Sequence, residues 1–274
     1  MEKNILLFIS LVCLFSCTDK VEKQANEYYV LAEQAYSKGA YEVAREKIDS
    51  IRLLFPKAFK TRRAALDLRL KVDLAEGQQA VEDADKIIMQ KTDLVERMKS
   101  KMVLEPIKGT VGNYVSPNQT VDKLDRNMVR AQLDEHGLLS LTAIHCGKIG
   151  YRAIRVECEG QSIQTPSSSA QFTSMCKGKE LEEVVFSNDR EVGVSAFLSQ
   201  HVGKDIKLTF IGGDRSETVL LSPADVKAVS DVYDLYLQMK TLNDARVRYA
   251  DACEKIKFIH RKMDGEGGEQ AEND

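Results

Sequence analysis

The spacing of apolar residues divides the chain into helical ends and a strand-rich middle. From Val21 to Phe55, apolar side chains recur every three or four residues, which is the period of a helix with one buried face. The period is interrupted at Ser37-Lys38-Gly39, and glycine often ends a helix in a tight turn. The pattern therefore predicts a hairpin of two helices, capped by a third helix from Lys57 to about Ala75.

Two longer helices are predicted from apolar seams whose spacings alternate between three and four, the pattern of a coiled coil. The first follows Glu76-Gly77, and the second opens at Ser222-Pro223, where a serine cap precedes a proline in the first turn. The seams consist of Val81, Ala84, Ile88, Val95, Met98 and Met102, and of Ala228, Val232, Leu235, Met239, Leu242, Tyr249, Cys253, Ile256 and Met263. We expect these two helices to pair as an antiparallel stalk.

Between the two seams the period changes to two, which is the alternation of a strand with one buried face. The clearest alternating runs are 129–134, 153–158 and 206–210. Hairpin turns are predicted at His136-Gly137, Gly147 to Gly150, Glu159-Gly160 and Gly212-Gly213-Asp214. Such short connections imply an antiparallel sheet or a small barrel, with one short helix within Glu191 to His201.

The first apolar run, Ile5 to Phe15, is shorter than the roughly 20 residues that a bilayer-spanning helix needs. A short apolar run after a weakly basic head is typical of a secretory signal peptide, but the small-x-small cleavage site is missing. Leu14-Phe15-Ser16-Cys17 instead resembles the lipobox of bacterial lipoproteins, in the relaxed form of the Bacteroidetes type. The resemblance implies cleavage before Cys17 and lipidation of its thiol.

The expected partner of Cys17 is a membrane, because acyl burial contributes about 0.8 kcal/mol per methylene and two or three chains hold a protein durably. The residues after it, Asp19, Lys20, Glu22 and Lys23, have mixed charge and lack a compact acidic run that resembles a surface-export signal. We therefore expect the outer membrane and its periplasmic face, with surface exposure as the alternative.

The N-terminal hairpin has large, small, turn and terminating residues in a fixed order, namely Tyr28, Leu31, Ala32, Ala35, Tyr36, Gly39, Tyr41, Ala44, Ile48, Ile51 and Pro56. In this order the hairpin resembles one tetratricopeptide repeat, a 34-residue helical motif with small residues where its helices meet. The resemblance covers one repeat, and a stable stack generally needs at least three. A plain helical hairpin without a peptide-binding groove is thus an equal alternative.

The order of these elements predicts an α+β protein with an antiparallel β domain inserted between the two helices of the stalk. The predicted segments are a signal peptide (1–16), the tetratricopeptide-like hairpin with its capping helix (17–76), the first stalk helix (77–104), the β domain (105–221), the second stalk helix (222–263) and a disordered acidic tail (264–274).

Composition excludes some functional classes. The chain is 43% hydrophobic and 30% charged with a formal net charge of -3, so it lacks the basic surface that nucleic-acid binding needs. Cysteines at positions 146, 158, 176 and 253 are not spaced for zinc, and neither a metal nor a cofactor is expected. We expect free, mostly buried thiols, with one disulfide among Cys146, Cys158 and Cys176 as an open alternative.

No catalytic residue is predicted. His145-Cys146 has the composition of a nucleophile and its base, but adjacent side chains on a strand point to opposite faces. The same alternation separates Glu182 from Glu183. Phosphate-binding loops, nucleophile elbows and H-E-x-x-H zinc motifs are missing from the sequence.

These observations favour a lipid-anchored envelope scaffold or adaptor that presents its β domain to a protein partner. One alternative is ligand or glycan binding, which would need a concavity lined by aromatic residues such as Tyr114, Tyr151, Phe172, Phe186, Phe197 and Phe210. Another is a transport component that resembles efflux adaptors, although in those proteins β segments enclose the helices. An enzyme is the least favoured class.

Overall fold

A computed structural model describes residues 2–271 except 108, 110, 188, 189 and 192, with side chains described from 19 to 265 outside those gaps. The predicted α+β class is confirmed, and every pair of strands in the described residues is antiparallel. The chain forms two compact units. We call residues up to Lys86 together with those from Ala245 onward the helical unit, and Ile87–Asp244 the β unit.

The described helices are α1 (Glu2–Ser37), α2 (Tyr41–Leu54), α3 (Phe59–Lys99), α4 (Val194–Gln200) and α5 (Pro223–Ala271), with a 3₁₀ turn at Val121–Lys123. The strands are β1 (Val103–Glu105), β2 (Asn113–Val115), β3 (Met128–Asp134), β4 (Leu139–Cys146), β5 (Tyr151–Cys158), β6 (Gln161–Gln164), β7 (Gln171–Cys176), β8 (Lys179–Phe186), β9 (Lys207–Gly212) and β10 (Ser216–Leu220). Among the residues described, no helix is both long and apolar enough to cross a bilayer.

In the helical unit, α1 and α2 form the expected pair of helices joined at a glycine. Gly39 has φ +72°, which favours glycine, and the next N–H, that of Ala40, donates to Ala35 O at 2.9 Å. Small side chains allow the helices to pack closely. The buried core of this unit consists of Ala25, Ala32, Ala35, Ala44, Ile48, Ile51, Ala58, Ala65, Leu68 and Val72.

The helix break predicted at Glu76-Gly77 is absent, because α3 runs through both residues. Gly77 is buried, and a Cβ atom at this position would lie 3.0 Å from Ile256 Cγ1 of α5. The missing side chain thus permits α5 to approach α3 within the helical unit. Glycine here serves helix packing rather than helix termination.

Two other helix ends differ from the prediction. α3 ends at Lys99 instead of near residue 104, and the next residues form β1. α5 continues past Met263 to Ala271, where a disordered tail was expected, since glycine lowers helix propensity without removing the backbone N–H that a helix needs. Residues 272–274 of that predicted tail lie outside the described residues.

The β unit contains two open sheets instead of one sheet or a barrel. The larger has the order β1-β2-β3-β4-β8-β7, and the smaller has the order β10-β9-β5-β6. Hairpins at His136-Gly137, Glu159-Gly160 and Gly212 to Asp214 are confirmed. Gly147 to Gly150 is not a hairpin, because β4 and β5 belong to different sheets and this loop crosses between them.

Both sheets share one apolar core with the helical segments of the β unit. The predicted seam residues Val232, Leu235, Met239 and Leu242 of α5 pack there with strand residues such as Phe210. A coiled-coil pairing alone therefore does not account for the seam.

The expectation of a polar outer face fails for β3. Arg130 on that face is only 5% exposed, and its guanidinium forms an ion pair with Glu105 of β1. A covered ion pair thus occupies a position that alternation alone would give to solvent.

A buried carboxylate fixes the start of α5. Asp225 is 1% exposed, and its two oxygens accept hydrogen bonds from Arg126 Nε at 3.0 Å and Nη2 at 2.6 Å. Gln119 Nε2 also donates to Asp225 at 3.2 Å. The hydrogen bond with Asp225 raises the pKa of Arg126, and these contacts tie the segment before β3 to α5.

The contact at Gly77 predicts an energetic coupling to Ile256. Gly77→Ala should raise the free energy of unfolding by about 1 kcal/mol in an Ile256→Ala background, because alanine favours the helix. With Ile256 present, crowding should offset that gain. Urea unfolding of the four proteins of this double-mutant cycle would measure the coupling. Gln78→Ala, at an exposed neighbouring position, should change the free energy of unfolding by the same amount in both backgrounds. If Gly77→Ala also had the same effect in both backgrounds, the contact with Ile256 would be contradicted.

Glu22 of α1 caps the first turn of α3. Its carboxylate accepts the N–H groups of Lys60 at 3.1 Å and Thr61 at 3.2 Å, and the Thr61 hydroxyl at 2.7 Å. Burial alone would raise the pKa of Glu22, but these hydrogen bonds outweigh it and lower the pKa. The cap therefore stabilises the folded chain only while the carboxylate is ionised.

This cap predicts a pH-dependent stability. Because the folded pKa lies below the unfolded one, the contribution of Glu22 is complete above the ordinary glutamate pKa of about 4.3 and is lost as the pH falls through the lower folded value. Glu22→Gln should cost about 1 kcal/mol at neutral pH, and the difference from wild type should shrink in acid. Denaturant unfolding at several pH values tests this. Glu27→Gln, on an exposed position of α1, should show no such trend.

Candidate partner-binding edge of the larger sheet

The side chain of Cys17, the predicted lipidation site, lies outside the described residues. Its backbone belongs to α1, which continues to Ser37. Lipidation of Cys17 therefore stays a prediction from the sequence.

The structure does not bring His145 and Cys146 together as a catalytic pair. His145 is 2% exposed on the core face of β4, where Nδ1 lies 3.1 Å from Gly147 O and Nε2 lies 2.9 Å from Glu217 Oε2. Cys146 lies on the opposite face, and burial raises the pKa of its thiol. A raised pKa is the reverse of what an activated thiolate requires.

Glu182 and Glu183 also point to opposite faces of their strand. Glu182 is 1% exposed, and its carboxylate accepts the N–H groups of Ile149 at 2.9 Å and Gly150 at 3.0 Å. Glu183 accepts the Ser174 hydroxyl. The buried carboxylate thus holds the crossover loop between the sheets, which is a structural role.

The four described cysteines outside the leader are free. Cys146 and Cys176 share one face of the larger sheet, but β8 lies between their strands, which separates them by roughly 10 Å. That separation exceeds the reach of a disulfide, and Cys158 belongs to the other sheet. Among the described residues, no group of three or more His, Cys, Asp or Glu side chains could hold a metal ion.

Aromatic side chains do not gather around a ligand cavity in the described part of the chain. Tyr151, Phe186 and Phe210 are fully buried in the core of the β unit. Phe172 is 58% exposed but lies on β7 at the edge of the larger sheet. The aromatic concavity that ligand or glycan binding would need is therefore not formed by these residues.

β7 is the longest edge strand in the described sheets. It has six residues, whereas the edge strands β1, β6 and β10 have three, four and five. Its sequence QFTSMC contains neither a charged residue nor a proline, the two devices that usually protect an edge. Phe172 and Met175 are 58% and 68% exposed.

The pairing with β8 determines which backbone groups of β7 are free. Just before β7, Val185 N–H donates to Ala170 O, and hydrogen-bonded pairs alternate along an antiparallel ladder. The backbone groups of Phe172, Ser174 and Cys176 therefore face β8. Those of Thr173 and Met175 point outward and make no hydrogen bond to the described residues.

A groove of about 610 Å³ adjoins the C-terminal end of β7 at Met175 and Cys176, and β1, the other outer strand of the larger sheet, also borders it. Leu104, Val121 and Met175 expose apolar side chains to it. Val121 N–H donates to Glu105 Oε1 at 3.0 Å, and Cys176 Sγ donates to Val121 O at 3.8 Å. These contacts hold the segment around Val121 between the two strands.

Hydrophobic alternation in the sequence does not identify this edge. QFTSMC has a weak alternation, and it follows a run of serines that reads as a loop. Lys177-Gly178, with φ values of +49° and +78°, closes a two-residue hairpin to β8. A search for glycine-bearing two-residue turns would have found it.

Comparison with known proteins gave no significant match to a protein-family model, a curated protein or a solved structure.

Proposed function

We propose that this protein is a lipid-anchored envelope adaptor that binds an extended segment of a partner protein along β7. The single observation that carries this proposal is the outward-facing, unpaired backbone of Thr173 and Met175 in an uncharged edge strand. An unpaired edge offers alternating donors and acceptors that another strand satisfies. Several protein-binding domains recognise partners through such strand addition.

The chemistry of the groove defines the segment that would bind. It must be extended, because only an extended backbone matches the spacing of the outward-facing groups. Exposed Leu104, Val121 and Met175 favour apolar side chains in the segment. β7 itself carries no charged side chain that would repel such a segment, while Glu105, Asp122 and Lys177 lie elsewhere in the groove lining.

The anchor in this proposal is the lipid on Cys17, which the lipobox-like Leu14-Phe15-Ser16-Cys17 supports. Acyl chains would hold the protein at the outer membrane on its periplasmic face. The adaptor would thereby confine a bound partner to the membrane surface.

The finer layout is part of the same proposal. We take α1 and α2 to be a single tetratricopeptide-like hairpin, which buried Ala32 and Ala44 support, although Leu31 of the motif is 47% exposed. We take α3 and α5 to be the stalk helices, which the close contact at Gly77 supports.

Loss of Cys17 should abolish lipidation. Cys17→Ala should remove metabolic palmitate labelling, because the modified thiol is gone, and it should release or mislocalise the protein. Cys13→Ala provides the matched control, since Cys13 lies in the predicted leader and would be discarded. Labelling that persists in Cys17→Ala would contradict the anchor.

Blocking the outward edge of β7 should abolish strand addition without breaking the sheet. Thr173→Pro removes an N–H that points away from β8, so the β7–β8 ladder keeps its hydrogen bonds. A photoreactive residue in place of Met175 should crosslink a partner in the native envelope, and Thr173→Pro should abolish that product. Thr173→Val retains the N–H and should crosslink normally.

The partner segment that crosslinks to position 175 can be tested for binding as a synthetic peptide. A synthetic peptide of that segment should slow amide hydrogen exchange at Thr173 and Met175 of the full chain. A photoreactive residue at Leu220, which is 61% exposed on the edge strand β10, should give no equivalent product. Crosslinking that is unchanged by Thr173→Pro, or a peptide that leaves both amides unprotected, would rule out binding along β7.

A further inference from the structure

The corner between α2 and α3 exposes large apolar side chains beside basic ones. Leu53, Leu54 and Phe59 are 70%, 59% and 73% exposed, although such residues are usually at least half covered. Residues 51–66 contain five lysines and arginines and no acidic residue. We call Leu53, Leu54 and Phe59, together with Lys57, Lys60, Arg62 and Arg63, the basic corner.

The charges of the basic corner are available to a ligand. Lys57, Lys60 and Arg63 are exposed and form no ion pair within the described part of the chain. Arg62 donates to Pro56 O at 2.8 Å, which orders the side chain without neutralising it. The surface therefore combines positive charge with apolar side chains, as membrane-surface elements do.

A cavity of about 420 Å³ between α2 and α3 adjoins this corner. Arg52, Arg62 and Arg69 line it, and its floor includes the buried Ile48, Ile51 and Ala65. Arginine pairs with phosphate through two parallel hydrogen bonds, whereas Arg69 already shares the carboxylate of Asp49. Arg52 also lies 3.9 Å from Asp49, so Arg62, which pairs with no carboxylate among the described residues, is the side chain most available for a phosphate group.

The position of the corner along the chain argues for a membrane as its ligand. Glu22 accepts the N–H groups of Lys60 and Thr61, and it follows Cys17 by five residues of α1. At 1.5 Å per residue, the backbone of Cys17 lies roughly 7.5 Å from that of Glu22 along the helix. A lipid on Cys17 would therefore bring the corner to the level of the headgroups.

We infer that the basic corner binds anionic phospholipid headgroups and inserts Phe59 and its neighbouring leucines into the membrane interface. This inference rests on the lipid anchor of the proposed function. Each lysine or arginine near an anionic surface strengthens binding by roughly fivefold. Such a contact supplies a second membrane signal beside the acyl chains and fixes the orientation of the helical unit on the bilayer.

The chain has no tryptophan, so a single introduced one reports on the corner. Phe59→Trp would be made in the intact lipoprotein and reconstituted into phosphatidylcholine vesicles with phosphatidylglycerol and a brominated lipid. We expect a blue-shifted emission and strong quenching. Met89→Trp is the matched control, because Met89 is 70% exposed on the same helix and should stay unquenched.

A charge reversal distinguishes headgroup binding from non-specific contact. Lys57→Glu, Lys60→Glu and Arg63→Glu together should remove most of the quenching of Phe59→Trp while acylation and the circular dichroism spectrum stay unchanged. Vesicles of phosphatidylcholine alone should also give weaker quenching. Unchanged quenching in both experiments would overturn the assignment to anionic headgroups.

The two proposals fail in different ways. A palmitate-labelled protein that floats with vesicles, but whose Phe59→Trp emission matches that of Met89→Trp, would overturn the corner and leave the anchor intact. Absence of the acyl label would overturn the anchor and with it the corner. If the emission of Phe59→Trp were blue-shifted in the native envelope but not in vesicles, the corner would be assigned to a protein partner and the membrane assignment would be overturned.

Discussion

Burial of one face of α5 is the interaction on which the β unit depends. Val226, Val229, Val232 and Leu235 are at most 1% exposed, and they belong to one core with residues of both sheets. Backbone hydrogen bonds unite the strands within each sheet but not one sheet with the other. Apolar contact, at about 1.5–3 kcal/mol for each large side chain buried, therefore holds the sheets together with a few side-chain hydrogen bonds that cross between them, such as that of Tyr151 Oη to Ala143 O at 2.6 Å.

This construction leaves sheet edges exposed. A closed barrel has none, whereas two open sheets have four. Three of these edge strands are poor templates for pairing with another chain. β1 and β6 are short, and β10 carries the charged Glu217, whose carboxylate forms a hydrogen bond with the buried His145. β7 has none of these protections. The proposed binding edge is thus a consequence of how the core is closed, and no catalytic or metal chemistry is needed to explain it.

The sequence predicts which faces are buried better than it predicts what covers them. The spacing of apolar residues predicts that Val232 and Leu235 belong to a helix seam. Both are buried, but they pack against strands as well as helices. Gly77 resembles a helix end because a glycine signal does not distinguish termination from close packing. The edge at β7 escapes the patterns because alternation weakens when both faces of a strand are partly exposed. Lipidation of Cys17 has no structural signature and depends on the motif.

Glu22 links the proposed anchor to the basic corner. The hydrogen bonds by which it caps α3 fix Lys60 and Thr61 beside α1, five residues after Cys17, the proposed lipidation site. Because the same carboxylate stabilises the start of α3, the geometry of the corner depends on an ionised group at the base of the helical unit. Under the proposed membrane binding, folding and membrane orientation would therefore share one interaction. A lipidated chain that lost this cap would keep its acyl chains but lose the fixed angle at which the helical unit is proposed to meet the bilayer.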